Sequence, residues 1–526
     1  MPTSAANPAE LLAFEQTTKD GLAALYDPAL TLASKLQAVR GDAAARRFLP
    51  DVPYIHWDVL DLYSIGRHLA GWVGDVGRAF AAADGDHDGV VDDTQLASVS
   101  RLGNGTFTVM FVNGRVVVDT GDGDDQVTVE NVPGGVRITV NGVSRTFTGG
   151  DADNVIIRLG GGDDHIEVGT DVNVHFTLEG QDGLDVLEGG AGDDTIRGGR
   201  DRDYIDGYRG DDVLDGGDGN DVIYAGDGND LVSGGSGIDY MDGGRGDDTL
   251  LGGAHHDVLS GGDGVDRLDG QGGDDTAYTG AGADLTSDQQ GTNTVFGQID
   301  DQWNDVEGGA TTRTIIVDLS GLPGDAAIKI DPDASPRFRQ RMEADLAMLR
   351  SSPDGRLMLT KLDQIHEDTK AIAADWPVLG GIAYQGDTIT LKEYAGNDNS
   401  SSSMVNLEVW RWNEIEQSRN IVQNYPGSYV PQAGTIAWQE VPPVAVLYHE
   451  LAHQYDYGMG TGIGGTTPEP SGPVDTDERQ AVGLPVDHDD DPNTPPIVDP
   501  DHPIEYTENG LRREMGLPDR ATYGHP

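Results

Sequence analysis

The chain has 526 residues, enough for several domains, and 75 of them are Gly without a Gly-X-Y period. It carries 34 Lys and Arg against 91 Asp and Glu, a formal net charge of −57 that excludes nucleic acid as an expected partner and favours cations. It has no cysteine and no apolar run long enough for a membrane helix, so we expect neither disulfides, nor thiolate zinc sites, nor a membrane span.

Residues 1–103 predict an α-helical N-terminal region, because Leu22, Leu25, Leu32 and Leu36 recur at near-helical spacing. The first residues lack the basic-then-apolar layout of a cleavable signal peptide. We therefore expect any export to use a signal of another kind.

The segment 84–95, DGDHDGVVDDTQ, resembles an EF-hand calcium loop that follows a helix. Its last position is Gln, where the family has a bidentate glutamate, which predicts weak affinity. The alternative interpretation is a solvated acidic turn. The ligands expected in this loop are Asp84, Asp86, Asp88, Val90 through its carbonyl, Asp92 and Gln95.

Residues 104–177 predict a β-rich segment that leads into a repeat. The stretches TFTVMFV and VRITV alternate in polarity, and the pairs Asn113-Gly114 and Asn141-Gly142 are typical of hairpin turns. The segments VDTGDGDDQ (118–126) and IRLGGGDDH (157–165) are weaker copies of the unit that follows.

Residues 178–285 divide into twelve consecutive nonapeptides, such as LEGGAGDDT (187–195) and LDGGDGNDV (214–222). The first position is aliphatic, Met or Ala in all twelve, and Gly fills the sixth in ten. Each unit predicts a short strand with one inward apolar residue and a tight turn whose carbonyls suit a hard cation. Asp fills the eighth position of every unit: Asp185, Asp194, Asp203, Asp212, Asp221, Asp230, Asp239, Asp248, Asp257, Asp266, Asp275 and Asp284.

This pattern closely resembles the hemolysin-type RTX calcium repeat, whose family fold is a parallel β-roll. The resemblance implies several structural calcium ions held between successive turns, with the twelve aspartates as ligands. Ala225 and Thr279 replace Gly in the third position and Asp201 and His255 in the sixth, so four units are expected to bind calcium less well. The polar residues 286–313 are expected to form a linker.

Residues 314–526 have ordinary mixed composition and are numerous enough to fold as a domain. A Pro-Pro pair followed by an apolar run predicts a helix that places His449 and His453 on one face, able to chelate one ion. Glu450 would project beside them. In this interpretation one catalytic zinc lowers the pKa of a bound water, and Glu450 removes its proton as general base. The alternative is a pair of surface histidines on an ordinary helix.

Catalytic zinc needs a third protein ligand. The metzincin continuation is absent, because Asp456 and Met459 stand where that family has Gly and His. We predict that Glu478 in DTDERQAVGLP is the third ligand, at the start of a second helix, as in glutamate-liganded zincins. Asp456, Asp475 and Asp477 are the alternatives.

The C-terminal zone 314–526 resembles the NleD-like effector metallopeptidases. The resemblance implies a zinc endopeptidase with His449, Glu450 and His453 in the roles given above. Tyr506 and Tyr523 could donate a hydrogen bond to a tetrahedral oxyanion, but a packing role is at least as well supported for each. The resemblance rests on four segments: MEADLAMLRSSPDGRLMLTKL (342–362), HELAHQYDYG (449–458), ERQAVGLP (478–485) and YTENGLRREMGLPDRATYG (506–524).

The sequence thus predicts a multidomain protein with an α-helical N-terminal region, a central parallel β-roll and a C-terminal α+β zincin-like domain. We expect a zinc metallopeptidase that is stabilised by calcium, is exported and acts on protein substrates. The alternative is a calcium-dependent adhesive or scaffold RTX protein whose zincin domain is inactive. The sequence makes no prediction of an oligomeric state.

Overall fold

The computed structural model describes residues 100–102, 107–112, 115–121, 123–149, 155–288, 290–305, 311–375, 388–393, 419–423, 442–459, 466–469, 472–484 and 502–520. The EF-hand-like loop at 84–95 and nearly all of the predicted helical region 1–103 lie outside these residues. The chain forms two units, residues 1–122 with 130–160, and residues 123–129 with 161–526.

Strands of the first unit form hairpins, as their alternating sequence predicts. The first three strands pair antiparallel in chain order, the fifth pairs with the sixth, and the seventh runs parallel to the third. The hairpin of the fifth and sixth strands turns at Asn141 and Gly142, which both have positive φ. The first strand occupies the end of the segment predicted as helical. The seven strands are β1 (Ser100–Leu102), β2 (Phe107–Val112), β3 (Arg115–Asp119), β4 (Gln126–Val132), β5 (Gly135–Val140), β6 (Val143–Thr148) and β7 (Val155–Gly161).

The second unit contains a parallel β-solenoid that confirms the predicted β-roll. Successive strands alternate between two sheets, and each pairs with the strand 18 residues further on, as Ile196 with Leu214. The first sheet comprises β9 (Phe176–Asp182), β11 (Thr195–Arg200), β13 (Val213–Asp218), β15 (Leu231–Ser236), β17 (Thr249–Ala254), β19 (Arg267–Gly272), β21 (Leu285–Asp288) and β23 (Gln302–Asp305). The second sheet comprises β8 (His165–Val168), β10 (Val186–Glu188), β12 (Tyr204–Asp206), β14 (Val222–Asp227), β16 (Tyr240–Arg245), β18 (Val258–Ser260), β20 (Thr276–Tyr278), β22 (Thr292–Gly297) and β24 (Thr311–Ile316).

The nonapeptide pattern follows from the narrow interior of this roll. The aliphatic residues at the first position, such as Leu187 and Ile205, are fully buried, and each contributes about 1.5–3 kcal/mol of burial free energy. Gly235 has a φ of +106°, and a Cβ there would collide with the backbone of Gly217 one coil earlier. Asp201 and His255 take φ values of 69° and 87°, so the two sixth-position departures keep the left-handed turn.

The segment 286–313, expected to be a linker, instead contains further strands of the roll. β22 and β24 extend the second sheet, and β23 extends the first. Val295 is buried at an inward position, and Asn293 Oδ1 accepts the backbone N–H of Asp275 at 2.8 Å. Coils of the same geometry therefore continue beyond the residues that show the nonapeptide pattern. A coil needs only an inward apolar residue and a side chain that accepts a hydrogen bond from the preceding coil.

The C-terminal region contains helices and small sheets, in agreement with the predicted α+β class at this level. Ser335 caps the first helix by accepting from the Phe338 N–H, and Pro336 is its first residue. The helices are α1 (Pro336–Ser351), α2 (Pro353–Asp375), α3 (Pro443–Met459), α4 (Thr476–Val482) and α5 (Glu508–Glu514), with a 3₁₀ turn at Ile504–Tyr506. The strands are β25 (Ile328–Ile330), β26 (Ile389–Glu393) and β27 (Arg419–Gln423), all parallel, and the antiparallel pair β28 (Thr466–Glu469) and β29 (Gly472–Asp475).

The two sheets of the roll differ in what covers their outer faces. On the first sheet the outward Val213 and Leu231 are each 42% exposed. On the second sheet the outward tyrosines are buried at 2–4% exposure, and they share one hydrophobic core with α1, α2, α3 and α5. The second sheet therefore supplies one wall of the C-terminal core. These tyrosines are Tyr204, Tyr224 and Tyr240.

No helix within the described part of the chain combines the length and the apolar character needed to cross a bilayer.

Candidate metal centres

The repeat aspartates form two columns of carboxylates along the roll. In each column one oxygen accepts the backbone N–H of the aspartate one coil earlier, as Asp203 Oδ1 does from Asp185 N at 2.9 Å and Asp221 Oδ1 from Asp203 N at 2.8 Å. All twelve side chains are buried. We call this arrangement the aspartate ladder.

The second oxygen of most ladder carboxylates is buried and accepts no hydrogen bond from the described residues. In the units whose third residue is Gly, this oxygen faces that glycine. A Cβ on Gly252 would lie 2.7 Å from Asp257 Oδ2 and 2.8 Å from the Gly270 carbonyl oxygen. These two oxygens therefore converge on the space beside Gly252. The oxygens concerned are Oδ2 of Asp185, Asp203, Asp212, Asp221, Asp230, Asp239, Asp248, Asp257, Asp266 and Asp284.

Electrostatics of the ladder favour a bound cation. Burial, together with the charge of Asp221, raises the pKa of Asp203 to about 10, and burial raises that of Asp212 to about 9. Ionised carboxylates are thus unfavourable at these positions without a compensating charge. Carboxylate and carbonyl oxygens are the ligands that calcium prefers, so the donor set fits the expected ion.

The ladder begins upstream of the regular repeat. Asp164, the eighth residue of the weak unit 157–165, is buried and donates its N–H to Asp185 Oδ1 at 3.0 Å. Asp125, the eighth residue of 118–126, donates likewise to Asp164 Oδ1 at 2.7 Å. Both residues were missing from the predicted ligand set, although the weak copies were visible in the sequence.

A second site lies on α3, which begins at Pro443 as predicted. His449, Glu450 and His453 are buried, and one ligand atom from each lies within 4.8 Å of the others. The imidazole rings of the two histidines meet edge to face, with centroids 4.9 Å apart. Two imidazoles at this separation fit two ligands of a catalytic zinc ion, and the carboxylate beside them fits its general base.

Glu508, the first residue of α5, extends this site, and the sequence interpretation missed it. Its Oε2 lies 3.2 Å from His449 Nδ1, and Arg520 Nη1 lies 3.1 Å from the same oxygen. Burial alone would raise the pKa of Glu508, but the hydrogen bond with His449 and the charges of Arg520 and Arg512 outweigh it and hold the pKa below its ordinary value. The feature of the sequence that could have pointed to Glu508 is its position in YTENGLRRE, which begins one of the four segments that carry the family resemblance.

Of the alternative third ligands, Asp456 is the one whose side chain is described. It is buried, with Oδ1 2.8 Å from His502 Nδ1 and 3.3 Å from Gln480 Nε2. Those contacts join α3 to α4 and to the segment before α5.

The structure gives less information about the other residues predicted for the zinc site. Glu478 and Asp477 lie on α4, so the predicted second helix is present, and Asp475 ends β29, but these three side chains lie outside the described residues. Tyr506 stacks on Tyr455 with ring centroids 4.4 Å apart, which favours a packing role.

Comparisons with known proteins agree with both sites. Residues 326–523 match the model of the peptidase family M91, described as effector protein. Four copies of the RTX calcium-binding nonapeptide repeat match residues 179–214, 206–241, 233–268 and 251–286. Both predicted resemblances are therefore confirmed: residues 326–523 resemble the effector peptidase family, and residues 179–286 resemble the RTX calcium-binding repeats. No curated protein and no solved structure matches the chain.

We expect Asp221→Asn to remove calcium from the ladder. The amide can still accept the Asp203 N–H, but the buried Oδ2 position loses its charge. Calorimetric titration of the full chain should show at least one fewer bound calcium, with a lower unfolding midpoint in calcium.

The matched control is Asp218→Asn, which removes the same charge from an exposed side chain in the same coil. It should keep the wild-type stoichiometry. Equal calcium binding by wild type and Asp221→Asn would contradict the ladder assignment.

Proposed function

We propose that the protein is a calcium-stabilised, secreted zinc metalloendopeptidase. The observation that carries this proposal is the buried cluster of His449, Glu450 and His453 on one helix, in a region that matches a peptidase family. The RTX repeats and the effector description favour a function outside the cytosol, where calcium is abundant.

The roles follow from the chemistry of each side chain. His449 and His453 would hold the ion, with Glu478 as the proposed third ligand. When bound, zinc would supply a Lewis acid that polarises a peptide carbonyl and lowers the pKa of water. Glu450 would take the proton from the attacking water and deliver it to the leaving amine, because its carboxylate lies beside the histidines, 4.0 Å from His449 Nε2.

The calcium assignments form the other part of the proposal. The twelve repeat aspartates would act as structural calcium ligands, and the 84–95 loop would bind one further ion weakly because Gln95 replaces a bidentate glutamate. Protein substrates would be cleaved only outside calcium-poor compartments, since the roll depends on these ions.

Glu450→Gln should lower casein hydrolysis by about 100- to 10,000-fold while the chain keeps one zinc, because the substitution removes a proton acceptor and no ligand. His449→Ala and His453→Ala should each lose the zinc, measured by elemental analysis of the purified full chain.

Glu367→Gln makes the same change on an exposed side chain of α2 and should leave turnover unchanged. Full activity in Glu450→Gln would refute the mechanism. A wild-type chain that binds calcium but no stoichiometric zinc would favour the adhesive or scaffold alternative.

Glu478→Ala should lower zinc occupancy, since the proposal gives this residue the third coordination bond. The comparison is Asp456→Ala, which should mainly lower thermal stability because Asp456 contacts His502 and Gln480. If Asp456→Ala lost zinc while Glu478→Ala kept full zinc occupancy, Asp456 would be the third ligand and Glu478 would not.

A further inference from the structure

The two nitrogens of the His449 ring face different carboxylates. Nδ1 lies 3.2 Å from Glu508 Oε2, whereas Nε2 lies 4.0 Å from Glu450 Oε1. A neutral imidazole carries its proton on one nitrogen, and the carboxylate within hydrogen-bonding distance decides which one. The contact with Glu508 thus places the proton of His449 on Nδ1, so that Nε2 is the nitrogen that could bind an ion.

We propose that Glu508 is a positioning residue for the zinc site, which accepts the Nδ1–H of His449 and fixes the ring in the metal-binding tautomer and orientation. This inference rests on the proposed function. A carboxylate that holds the second nitrogen of a metal-binding histidine also makes that ligand more basic.

The surroundings of Glu508 suit this role. Its side chain is 1% exposed, and Arg520 Nη1 and Arg512 Nη1 lie 3.1 Å and 3.6 Å from its two oxygens. Thr507 caps α5 by accepting from Gly510 N at 3.2 Å, which fixes the first turn that carries Glu508. Two guanidinium groups therefore keep the carboxylate charged and immobile while it still contacts His449.

The test is the zinc affinity of Glu508→Gln, measured on the full chain by competition with a chromophoric chelator in saturating calcium. We expect the dissociation constant to rise by about 10- to 100-fold. Glu508→Asp, which keeps the charge, should recover part of this loss. The visible spectrum of the cobalt-substituted protein should keep its band intensity, because Glu508 is not a ligand of the ion.

Glu505→Gln is the matched control, because it removes the same charge three residues away from a side chain that is only partly buried. Its zinc affinity should equal that of wild type. A lower unfolding midpoint in Glu508→Gln with wild-type zinc affinity would assign Glu508 a structural role and overturn the inference. A changed cobalt coordination spectrum would also overturn it, since Glu508 would then be a ligand. A wild-type chain without zinc would instead refute the proposed function.

A second inference comes from the buried polar contacts between the roll and α1. Arg337 donates to the carbonyls of Val168 and Gly189 at 2.9 and 2.6 Å. Arg341 donates to Tyr204 Oη at 2.7 Å, and its guanidinium stacks on the ring of Tyr224 at 3.9 Å. Guanidinium groups buried in this way depend on the roll for their partners.

The roll also holds α5 at the end opposite Glu508. Tyr278 Oη donates to Glu514 Oε1 at 3.1 Å, and His256 Nε2 lies 3.0 Å from the Met515 carbonyl oxygen. The other oxygen of Glu514 accepts the backbone N–H of Asp354 at 2.8 Å, at the start of α2. One partly buried glutamate thus joins the roll, α2 and α5.

We infer that calcium binding by the roll controls the folding of the peptidase region, because the second sheet supplies both a wall of its core and the partners of its buried charges. Without calcium the aspartate ladder disfavours the coils, and α1 and α5 lose the surface on which they pack. The His449 site would then be assembled only in the calcium-bound protein.

Hydrogen–deuterium exchange of the full chain tests this coupling, with calcium removed by dialysis so that no chelator competes for zinc. Removal of calcium should speed exchange at least tenfold in α1 and α3 as well as in the roll, and its return should restore protection. Protection of α1 and α3 that persists while the roll strands exchange would overturn the inference, as would a roll that stays protected without calcium.

Two variants test whether the contacts between the roll and the helices, and not only the folding of the roll, protect the helices from exchange. In saturating calcium, Tyr224→Ala should speed exchange in α1, whereas Leu231→Ala, on the exposed outer face of the first sheet, should not. Tyr278→Phe removes only a hydroxyl and should speed exchange in α5 but not in α1. Unchanged exchange in α1 and α5 in both tyrosine variants would contradict the coupling.

Discussion

Burial of the repeat aspartates is the constraint on which the rest of the structure depends. An ionised carboxylate that is 0–3% exposed, with one oxygen bound to the preceding coil, is unfavourable unless a cation compensates its charge. The roll has little else to stabilise it, since each nonapeptide contributes one inward apolar side chain and several glycines. The helices that pack against the second sheet therefore depend on the cation as well.

The sequence was most informative where one local rule repeats. Apolar residues at nine-residue spacing and an invariant Asp fixed the strands, the inward face and the ladder, because neighbouring coils impose the same geometry on every unit. The helix around His449 was equally predictable from its prolines and its apolar run. Both cases depend on contacts that are close in sequence or periodic.

Features that depend on distant contacts could not be predicted. The sequence shows Glu508 only as one acid among several, and its contact with His449 arises from the packing of α5 on α3. The continuation of the roll through 286–313 was missed because Asn293 and Val295 satisfy the coil without the nonapeptide signature. Tyr204 and Tyr224 are buried, whereas Val213 is exposed. This difference could not be predicted, because the sequence does not show which sheet of the roll is covered by helices.

The periodic roll also limits how this protein can change in length. Tyr224, beneath α1, and Tyr278, beside α5, lie 54 residues apart, which is three coils of 18. Adjacent coils are separated by about 4.8 Å, so the two contacts are about 14 Å apart along the roll axis. Duplication or loss of a coil between them would shift one helix relative to the other by a full strand spacing. Coils can therefore be gained or lost during evolution only outside the span that contacts α1 and α5, which runs from Val168 to Tyr278.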